Sequence, residues 1–172
     1  QPPGDDRRRT RFAAELNAEM RRLQGQSQDG KPAGGLIALA KALAAIDGRG
    51  SAAAVLDVIA MPDQWDHYVR LDAAERLLMA GVVLPVTATF ALVDSFLERI
   101  ARWRHDSDNH LLRRILALCH FVDDPAAGMA KIREVLGKQW LGMHELRELV
   151  TALGECRSDA AIDLLCDIAI SE

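Results

Sequence analysis

The sequence predicts an all-α chain assembled from repeated helix pairs, and three observations carry that prediction. The first is a repeat. Stepping forward from Ile59 by 37, 36 and 36 residues reaches Phe96, Ile132 and Ile168, and the same steps from Leu56 reach Val93, Met129 and Leu165. From Ala53 they reach Phe90, Ala126 and Ile162. Columns that stay apolar at a fixed period of this size mark a repeat array. The second is composition. The chain is 49% hydrophobic but only 5% aromatic, and Ala and Leu dominate it, which favours packed helices over a sheet. The third is punctuation: Ser51, Pro85 and Asp124-Pro125 stand where helices would begin, and Gly48, Gly50 and Pro62 where they would end.

The columns also separate two faces of each repeated helix. The column Val55, Leu92, Gly128, Leu164 departs from apolar character only at Gly128. Asp57 steps to Asp94, Ala130 and Cys166; Val58 to Ser95, Lys131 and Asp167; Met61 to Glu98, Glu134 and Ile170. At 3.6 residues per turn, offsets 53, 56 and 59 form the stripe expected to face the core. Offsets 54, 57, 58 and 61 form the opposite stripe.

Taken in order, Gln1 to Gly4 precede any element. A helix from Asp5 to Gln24 follows, with Phe12, Leu16, Met20 and Leu23 on one face. Its other face sets Arg7, Arg8, Arg9, Arg11, Arg21 and Arg22 against Glu15 and Glu19. Gly25 to Gly35 reads as a linker. Helices are then expected over 33–47, 51–62, 63–79, 85–103, 107–122, 125–136, 143–154 and 158–170, each too short to be stable alone. The first helix of each pair repeats as well: Leu39, Leu112 and Leu149; Leu43, Leu116 and Leu153; Ile46, Cys119 and Cys156. The pair around Leu77 to Val83 falls out of register and should contain an irregular turn. Residues 1–31 therefore form an amphipathic helix with a Gly-rich linker, and 32–172 the array. The start at Gln1 and the apolar last helix, with Ile162, Leu165, Ile168 and Ile170, read as a piece of a longer protein.

At 172 residues the chain can bury a core without metal or disulfide. Its net charge of −4 speaks against a nucleic-acid binder. Three cysteines without short spacing form no disulfide framework and no zinc motif, which suits a reducing, cytoplasmic setting. The longest apolar run, Gly35 to Ile46, is interrupted by Lys41 and does not predict a membrane span.

The period, the two helices per period and the strings LGECRSDAAIDLLCDIA and VDDPAAGMAKIREVL resemble HEAT-like repeats of the short bacterial type. The tetratricopeptide signature is missing. The resemblance covers Pro32 to Glu172. It implies a right-handed α-solenoid of about four helix pairs with an extra N-terminal helix, second helices lining the inner face, and a role as a binding scaffold. Arrays of this kind are often the sensor part of signalling proteins with a nucleotide-binding domain. No G-x-x-x-x-G-K-[ST] occurs in this sequence.

Two sets of residues are candidate partner-binding sites. One is the polar stripe of the second helices, where Asp57, Asp94, Glu98, Glu134, Asp163 and Asp167 outnumber Lys131. An acidic inner face favours a basic peptide or protein surface and repels phosphates. The other is the joints between repeats, which hold all three tryptophans: Trp65, Trp103 and Trp140, accompanied by His67, His105 and His144. There each Trp either packs between repeats or grips an extended partner. A basic group, Arg99, Arg102, Arg104, His105, Arg113 and Arg114, either binds phosphate or pairs with Glu98, Asp106 and Asp108. His105, His110, His120, Asp123 and Asp124 lack a metal-ligand spacing, and Asp123-Asp124 is better explained by helix capping. No nucleophile elbow or phosphate loop is present, and His110 and Cys119 stand two and a half turns apart. The expectation is a non-catalytic protein-recognition scaffold with no cofactor and no bound metal. Nucleic-acid binding or processing on a HEAT-like fold is one alternative. A structural segment that self-associates through its C-terminal helix is another.

Overall fold

Helices form where caps and apolar periodicity place them in the computed structural model, which describes residues 3–26, 35–61, 67–102, 108–137, 147, 150–151, 153–154 and 159–170. They are α1 (Pro3–Gln24), α2 (Leu36–Asp47), α3 (Ala52–Ile59), α4 (His67–Met79), α5 (Val86–Arg102), α6 (Asp108–Leu118), α7 (Pro125–Leu136) and α8 (Asp159–Ile170). A 3₁₀ turn, Cys119–Phe121, continues α6. Arg147, Val150, Thr151, Leu153 and Gly154 are also helical. The chain is therefore all-α, as its composition and period predict. It divides into two compact units, Gln1–Leu84 and Pro85–Glu172.

In the first unit, α2 is the central helix and packs on α1, α3 and α4. Leu36, Ile37, Ala40, Leu43 and Ala44 are its buried face. They meet Val55, Val58 and Ile59 of α3 and Leu71, Ala73, Ala74 and Leu77 of α4 within one core. Lys41 Nζ bonds Asp72 Oδ2 at 2.5 Å across the α2–α4 contact. The α1 helix begins at Pro3, two residues before the expected Asp5 start, with Pro in the first turn where its missing N–H costs nothing. Its buried stripe runs through Ala13 and Met20, and Phe12 stays 52% exposed at the stripe's edge, contrary to the expected Phe12 face.

Helix ends in this unit are closed by tertiary contacts. Arg70 is fully buried on α4, and its Nη1 donates to the carbonyls of Met61 at 2.5 Å and Ile59 at 3.3 Å, ending α3. Ser51 does not act as the expected acceptor cap. Its hydroxyl turns back and donates to Asp47 O at 2.5 Å. The irregular turn expected near Leu77 to Val83 is a Schellman ending: Val82 N bonds Leu77 O at 3.0 Å and Gly81 N bonds Leu78 O at 2.8 Å. Gly81 sits at φ +76°, the left-handed position that motif requires.

In the second unit, α5 packs on α6 and α7, and α7 on the 3₁₀ turn and α8. Leu92, Val93, Phe96, Leu97 and Ile100 of α5 join Leu111, Leu112, Ile115 and Leu116 of α6 and Met129, Ile132 and Val135 of α7 in the core. The paired aspartates cap two different helices. Asp124 Oδ1 accepts from the Ala126 and Ala127 N–H groups at 3.1 Å, starting α7. Asp123 Oδ1 accepts from Val86 N at 2.9 Å, closing the first turn of α5.

Two of the three columns expected to face the core do so: Ile59, Phe96 and Ile132 are buried, and Val93 and Met129 are buried with Leu56 and Leu165 half-buried. The third column gives way to the one before Leu56. Val55, Leu92, Gly128 and Leu164 are buried in every repeat, whereas Ala53, Ala126 and Ile162 are exposed and Phe90 half-buried. In α7 the buried column is occupied by Gly128. A Cβ there would overlap the Cys119 carbonyl oxygen and stand 3.0 Å from both the Cys119 carbonyl carbon and Val122 Cγ2. The position is central to the core because two backbones touch, and only glycine fits between them.

Gly128→Ala should accordingly destabilise the second unit by about 3 kcal/mol or more, since the obstructing atoms are backbone. Urea unfolding would measure it, and a loss under about 1 kcal/mol would show that α7 can move away without cost.

Candidate functional site

One column of the polar stripe predicted for partner binding is exposed throughout. Asp57, Asp94, Ala130 and Cys166 are exposed in every repeat, the reverse of their neighbours two positions earlier. Asp94 and Glu98 lie on α5, Glu134 on α7, Asp163 and Asp167 on α8, and all five are exposed within the second unit. Asp57 is exposed on α3 in the first unit.

Two residues of the expected polar stripe are buried. The column of Val58, Ser95, Lys131 and Asp167 is expected on the outward side, yet Val58 is buried and Lys131 is 8% exposed. Its stem runs along the helix interface, and its ammonium emerges between two acids. Nζ bonds Asp94 Oδ1 at 2.6 Å and Glu134 Oε2 at 2.9 Å, and it lies 5.4 Å from the Phe90 ring centroid. Lys131 thus ties α5 to α7. Burial opposes its charge, but the hydrogen bonds to Asp94 and Glu134 outweigh burial, and the ammonium is held above its ordinary range.

Two of the remaining acids make long ion-pair contacts. Arg133 Nη2 is 3.6 Å from Asp167 Oδ2, and Arg102 Nη2 is 3.7 Å from Glu98 Oε2, with all four side chains more than half exposed. Exposed pairs of this kind contribute about 0–1 kcal/mol. Asp57 and Asp163 have no ion-pair partner among the described residues.

The other candidate residues fall differently. Trp65, Trp103 and Trp140 lie outside the described residues, with His105, His144 and Arg104. His67 is fully buried on α4, so it belongs to the core of the first unit and cannot be part of a gripping rim. Of the basic group, Arg99, Arg113 and Arg114 are each engaged with a neighbour, and Arg102 faces Glu98. Cys119 is buried, as its repeat column predicts, and Cys166 is exposed. Among the described residues no group of three or more His, Cys, Asp or Glu is placed to hold a metal ion, and no helix is long and apolar enough to cross a membrane.

Sequence reasoning passed over one further group. Arg9, Arg49 and Arg76 border adjoining clefts formed by α1, the end of α2 and the end of α4. They come from three separate segments, so no local spacing announces them. Comparison of the chain with models of known families, with curated proteins and with solved structures finds no match.

The pH dependence of the Lys131 junction can be stated with its sign. A lysine held above its ordinary value stabilises the fold fully below the unfolded value of about 10.4, and that contribution is lost as pH rises through the folded value. Lys131→Met keeps the stem and removes the charge. The wild type should exceed this variant by about 1–2 kcal/mol at neutral pH, with the gap closing above about pH 10.4. Denaturant midpoints across pH would check it, and a gap that stays constant would assign the contribution of Lys131 to packing alone.

Proposed function

We propose that the chain is a non-catalytic recognition module of the HEAT-like α-solenoid kind, which binds a basic segment of a partner protein through the outward acidic faces of its second helices. The observation that supports this reading is the sorting of adjacent columns in the second unit. Leu92, Gly128 and Leu164 are buried while Asp94, Ala130 and Cys166 are exposed, so each helix presents one polar face. Asp94, Glu98, Glu134, Asp163 and Asp167 populate that face. Only Lys131 among the matching cations is buried. The exposed Arg133 and Arg102 contacts are weak enough for a basic partner to replace. An acidic surface of this kind accelerates encounter with a basic segment and repels phosphate-bearing ligands.

A combined variant, Glu98→Lys, Asp163→Lys and Asp167→Lys, leaves the Lys131 junction untouched. A fluorescein-labelled Lys/Arg-rich peptide titrated by fluorescence polarisation should bind the wild type and lose at least about tenfold in affinity in the variant, with unchanged helicity by circular dichroism. Equal affinity in the two proteins would remove the acidic faces from the reading.

A second reading is favoured by Ile162, which is 53% exposed on α8. Self-association through α8 would bury it. Sedimentation mass rising with concentration, and returning to monomer in Ile162→Glu, is the result this reading requires.

A further inference from the structure

The first unit carries a surface of opposite character. Two adjoining clefts, of about 460 Å³ and 270 Å³, share Arg9, Ile46, Gly48 and Ala80. Arg49 borders the larger and Arg76 the smaller, and Asp47 is the one acid among their lining residues. On a chain of net charge −4, three arginines border these two adjoining clefts.

Helix capping accounts for part of this arrangement. Arg9 Nε donates to Ile46 O at 2.8 Å, and Arg49 Nε donates to Ala80 O at 2.7 Å. These bonds close the ends of α2 and α4, where the helix dipole attracts cations. The Nη groups are not used in this way. Beyond the two Nε bonds, neither Arg9 nor Arg49 makes another polar contact among the described residues, and the Arg76 guanidinium makes none. Capping also orients what it leaves over. A guanidinium anchored at Nε has its plane set, and its terminal N–H groups are aimed away from the carbonyl. Arg49 is further placed by lying over Gly81, where a Cβ would come within 2.8 Å of its Nη2. The Asp47 carboxylate accepts from the Gly50 N–H at 3.2 Å.

The clefts are not purely polar. Ala13, Ile46 and Ala80 supply apolar lining, and Met79, 88% exposed, stands beside Arg76. A bare inorganic anion would use the arginines and leave these groups in water. A carboxylate on a peptide would engage the Nη forks bidentately while a neighbouring apolar side chain covers Ile46 and Met79.

We infer that the Arg9–Arg49–Arg76 cleft is a docking site for an acidic peptide segment, with glutamate or aspartate carboxylates held by the preset guanidinium groups and an adjacent apolar side chain seated on Ile46, Ala80 and Met79. This surface is independent of the acidic faces in the second unit, and either can fail without the other.

The test is a titration of the isotope-labelled full chain, followed by amide NMR, with a synthetic peptide of alternating glutamate and leucine and separately with inorganic phosphate. The peptide should shift the amides of Ile46, Gly48 and Ala80, and its affinity should fall with salt. Arg76→Gln should weaken binding by about tenfold at an unchanged melting temperature, because its guanidinium closes no helix. Arg49→Lys, which keeps the charge and loses the fork, should weaken it as well. Peptide shifts elsewhere on the chain, or unchanged affinity in Arg76→Gln, would overturn the site. Phosphate binding as tightly as the peptide at the same amides would overturn the peptide assignment in favour of a simple anion site.

Discussion

The second unit depends on a backbone contact. Where α7 crosses the 3₁₀ turn after α6, the Cα of Gly128 approaches the Cys119 carbonyl so closely that no side chain fits. That contact fixes the rotation of α7. Met129, Ile132 and Val135 then face α5 and α6, while Ala130, Arg133 and Glu134 face outward. Lys131 is left at the boundary, with its stem buried and its ammonium within reach of Asp94 on the neighbouring helix. Rotating α7 by one residue would take the ammonium away from Asp94 and put a side chain where the carbonyl stands. The exposure of Glu134 and the Lys131 junction therefore go with the same setting of α7.

The first unit solves a different problem, the unsatisfied carbonyls at helix ends. Arg70 closes α3 from inside the core, the Gly81 turn closes α4, and Arg9 and Arg49 add donors from the surface. Long cationic side chains suit this work because their stems pack while their heads reach carbonyls. Convergence of the α2 and α4 ends gathers Arg9, Arg49 and Arg76 around two adjoining clefts.

The helices, the Asp124 cap and the exposed column of Asp57, Asp94, Ala130 and Cys166 were legible in the sequence because periodicity and turn chemistry are local. Asp124-Pro125 signals the start of α7 by itself, and the in-step positions Leu43, Leu116 and Leu153 are all buried. The exposure of the Ala53 column and the burial of Gly128 and Lys131 were not legible, because polarity stood in for burial. Gly128 counts as a break in an apolar column, yet it marks the tightest contact in the unit. Lys131 counts as polar, yet its stem is core. The role of Asp123 at α5, the cap supplied by Arg70 and the arginine cleft all join residues that are distant in sequence or on separate helices. Only packing brings them together. Phe12 shows the converse: an apolar residue on the expected face of α1 stays in solvent because Ala13 and Met20 carry the contact.

The claim at the centre of this account is that each second helix buries one column and exposes another, against a first helix whose own column is buried. Cys119 and Cys166 report on both sides of it, the first buried at the α6–α7 contact and the second on the outward column of α8. Native-state thiol labelling, with the modified peptides resolved by mass spectrometry, reads them separately in the unaltered chain. Cys166 should react at close to the rate of an unfolded thiol, and Cys119 should be protected by a factor set by the unfolding equilibrium. Equal labelling of the two cysteines, or protection of Cys166, would contradict the arrangement of helix faces on which the proposed recognition surface depends.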